Sequence, residues 1–162
     1  MPKIYTRAPG GTQAKGKRFL STETGCFDML ASALDGFRLS IHVLAAAIWV
    51  GGQLTLAGLV PALRGAGEGV ANVAARAFAK ISWPAYVVLV LTGLWNVATF
   101  QSGQTSTAWK VVLGVKLAVV ALSGLAAWLH TKAKTPAQNA VWGAISGTSA
   151  AAAMILGVFL AG

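Results

Sequence analysis

Four apolar stretches, at about residues 39–63, 78–100, 109–131 and 140–161, leave this 162-residue chain few folds to adopt. Each is long enough to cross a bilayer, which takes about 20 helical residues. Backbone groups have no water to bond in the hydrocarbon core, so a continuous apolar span closes its hydrogen bonds internally as a helix. The connections are short, and short connections make sequential helices antiparallel neighbours. The expected fold is an all-α membrane protein: an antiparallel four-transmembrane-helix bundle. Only 10% of the residues are charged, against about 25% in soluble domains, which excludes a water-soluble globule.

The chain carries 13 Lys+Arg against 4 Asp+Glu, a formal charge of +9. Much of the excess lies near the N-terminus, in Lys3, Arg7, Lys15, Lys17 and Arg18. In a membrane protein such residues point to anionic headgroups or an acidic partner subunit, not to nucleic acid. Residues 1–18 lack the apolar core of a secretory signal, so insertion is expected to use the first spanning helix. A single cysteine, Cys26, excludes an intrachain disulfide. The four carboxylates, Glu23, Asp28, Asp35 and Glu68, all fall outside the apolar stretches. That disfavours proton pumping or acid–base catalysis by Asp or Glu. No phosphate loop, catalytic triad or zinc-spaced cluster is present, and the reading leans away from an enzyme.

Two parts are expected: residues 1–38, a basic irregular tail with an amphipathic segment, and residues 39–162, the transmembrane domain. Phe27, Leu30, Leu34 and Phe37 make a helical stripe, suited to a short interfacial helix. The first spanning helix is expected to close at Pro61 and Arg64, and the second to begin near Phe78 with Pro84 close to its start. In the fourth, Gly143, Gly147, Ala151, Gly157 and Ala161 give small-residue spacing for close packing. The loops at 64–80 and 132–134 hold Arg64, Arg76, Lys80, Lys132 and Lys134, while Arg38 and Lys110 flank the other side. Short basic loops favour the cytoplasm, which would leave both termini outside; the basic tail points the other way.

Ionisable groups inside such helices are the best pointers to function. His42 lies near the start of the first span and Lys116 in the third, at depths expected to differ by about 6 Å. Thr92, Trp95, Asn96 and Thr99 of the second helix return to that level, so His42, Asn96, Thr92 and Lys116 could form a polar pocket. Trp109, Lys116, Ser123 and His130 recur every seven residues and share one face of the third helix. His42, Trp49 and Gln53 share a face of the first. Each has a plainer reading too. His42 could lie at headgroup level, Lys116 could snorkel outward, and His130 could be interfacial. Trp49, Trp83, Trp109, Trp128 and Trp142 could serve as anchors or packing, and Asn96 and Gln53 as interhelical hydrogen-bond partners.

The segment His42-Val-Leu-Ala-Ala-Ala-Ile-Trp49-Val-Gly-Gly52 resembles the first core helix of the CopD family of bacterial copper-resistance membrane proteins. Arg76-Ala-Phe78, Leu91-Thr-Gly-Leu-Trp95, Trp109 and Lys116-Leu117 follow in matching order, over about residues 38–131. The layout is also similar to HemJ-type protoporphyrinogen oxidases, where a His of the first helix and a Lys of the third are proposed haem ligands. The resemblance implies a bacterial cytoplasmic-membrane protein that binds copper or haem b. His42 and Lys116 would be the ligands and Trp49 and Trp95 would flank the cofactor, with Asn96 of the polar pocket as a further cofactor-binding candidate. His130, expected near the opposite membrane surface, is the other candidate metal-binding His. The chain has about half the helices of a full-length CopD protein and lacks its Met- and His-rich segments. An alternative is therefore a non-catalytic accessory subunit of a respiratory or photosynthetic complex, with residues 1–38 docking on other membrane subunits.

Overall fold

The computed structural model describes residues 14–99 and 106–161. It contains four helices: α1 (Ala14–Gly65), α2 (Val70–Thr99), α3 (Thr107–Lys132) and α4 (Pro136–Ala161). Two compact units divide the chain, Met1–Phe37 and Arg38–Gly162. The second unit carries the four-helix bundle. All four helices contain spans long and apolar enough to cross a membrane, and the protein is a multi-pass membrane protein.

In the bundle, α1 and α2 are antiparallel. His42 meets Thr92, Trp49 meets Tyr86, and Gly52 meets Phe78, so residue numbers rise on one helix as they fall on the other. The same inverse order joins α3 to α4 through Trp109 and Leu160, Ser123 and Ser146, and His130 and Asn139. The up-down-up-down order makes α1 and α3 parallel, and Trp49 bonds Ser123.

The interior is made of small side chains, and the large apolar ones face outward. Ala45, Ala85, Ala126, Ala150, Ala153, Ser82, Ser123, Ser146 and Ser149 are buried, whereas Leu54, Leu91, Leu125, Ile155 and Phe159 are exposed. Lipid tails are as apolar as leucine, so a membrane bundle gains little by hiding leucine and more by bringing helices close through small residues. Trp49, Val50 and Leu89 are the larger exceptions, Trp49 packing edge-on against Trp83 and tilted on Tyr86 with centroids 5.8 and 4.5 Å away.

Three boundaries differ from the sequence expectations. Residues 14–24 belong to α1 and are helical rather than irregular; residues 1–13 of the expected tail lie outside the described residues. The amphipathic segment is likewise part of α1 rather than a separate short helix, with Leu34 and Phe37 exposed; the side chains of Phe27 and Leu30 lie outside the described ones. α2 begins at Val70, because Gly67 and Gly69 take positive φ of 147° and 80° and the Ala-rich run after them favours helix. Pro84 consequently sits inside α2 rather than in its first turn. It keeps a helical φ but removes the amide that would bond the carbonyl of Lys80.

The other ends follow local chemistry. Ser106 Oγ accepts from the Trp109 amide and caps α3. Thr135 Oγ1 accepts from the Gln138 amide, and Gln138 Oε1 accepts from the Lys134 amide. With Pro136 as the first residue of α4, this is a capped helix start of the Thr-x-x-Gln kind.

Candidate functional site

The seven-residue stripe on α3 faces α4 along its whole length. Trp109 Nε1–H donates to the Leu160 carbonyl, Ser123 Oγ–H to the Ser146 carbonyl, and His130 Nδ1–H to the Asn139 carbonyl. Lys116, the fourth member, lies over Gly157, where an added Cβ would come within 3.0 Å of Nζ. His130 packs on Gly143 in the same way, and Gln53 of α1 lies 3.9 Å from the Cβ position of Gly147. The glycines of α4 are therefore seats for polar side chains as well as places of close helix approach.

At the middle of the bundle, one polar seam joins three helices. Trp49 Nε1–H donates to Ser123 Oγ at 3.0 Å. Ser146 Oγ–H reaches Gln53 Oε1 at 2.9 Å and the Ser123 carbonyl at 3.1 Å. Gln53 Nε2 is a buried donor with no hydrogen-bond partner among the described residues. In this seam Trp49 is a hydrogen-bonded part of the core, one of two roles its sequence position allowed.

Two turns toward the opposite ends of α1 and α3 from the short loops, the chemistry changes. His42 Nδ1 lies 2.9 Å from Thr92 Oγ1. The Thr92 hydroxyl hydrogen is already directed at the Val88 carbonyl, 2.7 Å away, with the Leu89 carbonyl at 3.2 Å. Thr92 Oγ1 must therefore accept, so Nδ1 carries the proton and the lone pair of the neutral ring is on Nε2. Gly93 leaves room for the ring: a Cβ there would stand 3.2 Å from His42 Cε1. Lys116 precedes Ser123 by seven residues on α3 as His42 precedes Trp49 on α1, so the Trp49–Ser123 bond puts the two at one level of the bundle; Lys116 Nζ has no hydrogen-bond partner among the described residues. Both side chains are half-buried.

The other sequence candidates fall at different levels. Asn96, half-buried, is one turn beyond Thr92 on α2. Trp95 is largely exposed and has the Arg38 guanidinium 5.8 Å from its ring centroid, making Arg38 a cation of this region. His130 stands 14 residues beyond Lys116 on α3, about 21 Å along the axis. His42 and His130 thus lie toward opposite ends of the bundle and cannot share one metal ion. Among the described residues no group of three His, Cys, Asp or Glu side chains comes together.

Tyr86 carried no signal that singled it out in the sequence. Its hydroxyl donates to the Val120 carbonyl at 2.9 Å, and its ring occupies the space over Gly124. Gly124 is one of two glycines in α3, and nothing in its sequence context names the side chain that fills the space above it.

No protein-family model matches this chain, and no match is found among curated proteins or solved structures.

Proposed function

We propose that the bundle binds b-type haem, with His42 Nε2 and Lys116 Nζ as its protein nitrogen donors. The observation that carries this reading is the His42–Thr92 hydrogen bond. It holds the imidazole in the tautomer with a free Nε2 lone pair, the arrangement that second-shell groups impose on metal-bound histidines. The donor set fits as well. A porphyrin carries most of its iron's nitrogen ligands itself and would ask the protein for one or two more, whereas a copper site would need several side-chain ligands gathered at one place. The Lys116 amine, two turns before Ser123 on α3 as His42 is two turns before Trp49 on α1, would be the second nitrogen donor to the group.

When bound, haem would supply one-electron redox chemistry. The chain's own residues would hold the ring nitrogen, keep water away with the apolar faces of the spans, and provide in Arg38 a cation for a propionate. The likeness of the His42–Gly52 and Lys116-Leu117 segments to CopD and HemJ proteins supports the same residues. Protein purified in mild detergent from its native membrane should show a Soret band; stoichiometric copper without one would favour copper handling by a CopD-like protein instead.

Thr92→Val tests the tautomer directly. The substitution keeps the shape but removes the acceptor for Nδ1–H, so haem affinity should fall by about 10–100-fold, the usual effect of losing such a second-shell partner. Haem titration of the apoprotein measures it, and an unchanged affinity would remove the Thr92 bond from the account.

A second reading, an accessory subunit, has its own observation. Met29, Leu34 and Phe37 are each at least 66% exposed in the N-terminal unit. They offer apolar contact to another membrane subunit, and co-purification of a large assembly that is lost on their replacement by Ser would support it.

A further inference from the structure

We infer that the end of the bundle formed by the α1–α2 and α3–α4 connections binds the phosphate headgroups of anionic phospholipids. Arg64 lies in the last turn of α1 and Lys132 in that of α3. Arg76 and Lys80 stand one turn apart on α2, and Lys134 lies in the α3–α4 connection; all five are exposed. Glu68 is the one carboxylate at this end. Within the unit Arg38–Gly162, Arg38 and Lys110 are the cations toward the opposite end, and residues 100–105 of the α2–α3 connection carry no charge.

Aromatic and apolar neighbours identify the depth of these cations. Lys132 Nζ is 5.9 Å from the centroid of the half-exposed Trp128 ring. Exposed Ile81, Leu125 and Val141 lie alongside. Tryptophan and basic residues above an apolar belt mark the headgroup layer, where Lys80 can reach by extending its stem along the helix. A lipid headgroup meets these cations with its phosphate in the polar layer and its chains against the belt. Free phosphate gains nothing from the belt. The same end would then face the more anionic leaflet, and the His42–Lys116 level would lie beyond the midplane from it. The inference stands whether or not haem is bound.

The test uses the full chain in detergent micelles, offered equimolar phosphatidylglycerol and phosphatidylcholine, with bound lipid counted by native mass spectrometry. Phosphatidylglycerol should be preferred by about tenfold, from the attraction of several cations near one anionic surface. The variant R64Q/R76Q/K80Q/K132Q/K134Q should lose that preference, and K110Q should keep it. Equal retention of both lipids by the unaltered protein would overturn the inference, and needs no variant to fold. So would a preference that survives the five substitutions, or displacement of the lipid by inorganic phosphate at comparable concentration.

Discussion

His42→Ala protein should retain no haem while keeping its four-helix fold. The loss is expected to be complete because the described residues of this region offer no second imidazole; His130 lies toward the other end of the bundle. The fold should survive because little else depends on the ring. The Thr92 hydroxyl keeps its bond to the Val88 carbonyl, so no buried donor is orphaned, and Gly93 faces only the space the ring vacates. Helicity by circular dichroism and a monodisperse detergent complex would establish folding, and the Soret absorbance per chain would report haem. A folded His42→Ala protein with full Soret intensity would refute His42 as the ligand.

The largest effect on stability is expected at Gly124. A Cβ there would overlap the phenol of Tyr86, and moving that ring would break its contacts. Its hydroxyl is held by the Val120 carbonyl, and the ring lies tilted on Trp49 and edge-on with Trp83, centroids 4.5 and 6.0 Å away. Gly124→Ala should therefore cost roughly 1–3 kcal/mol, as overpacking of a filled core does. Gly51→Ala is the control: nothing stands within 4 Å of its Cβ position, and the change should be neutral or stabilising by about 0.5–1 kcal/mol from helix entropy. Unfolding in mixed micelles with increasing dodecyl sulfate measures both. Adding Tyr86→Leu to Gly124→Ala should restore part of the loss, since the two residues occupy one space. If Gly124→Ala is as stable as the unaltered protein, the close packing of α2 on α3 at this point is wrong.

The spans and much of the polar interior were legible in the sequence for one physical reason: both rest on helical periodicity. Trp109, Lys116, Ser123 and His130 repeat every seven residues, so they had to share a face, and in the fold that face meets α4. The partners across the bundle were less legible. Periodicity locates a stripe on its own helix but not the rotation of the neighbour, so the seating of Lys116 over Gly157 and of His130 over Gly143 emerges only from packing. The start of α2 lies eight residues before Phe78 because hydropathy locates the apolar span and not the more polar helical turns that precede it. Gly67 and Gly69 do break the chain, but Pro84 is accommodated fourteen residues into a helix whose Ala-rich first turns project beyond the apolar span. Tyr86 was missed for the same reason as the glycine seats: its role is set by Gly124 on another helix.

The pairing of His42 with a cofactor is most directly tested by quantifying haem in the unaltered protein. The chain, purified in mild detergent from its native membrane, would be measured by pyridine haemochrome absorbance, with metal analysis on the same sample. One b-type haem per chain, with no stoichiometric copper, is the predicted result. Intact, monodisperse protein carrying neither a Soret band nor iron would contradict the account and leave His42, Thr92 and Lys116 as a polar element of the bundle alone.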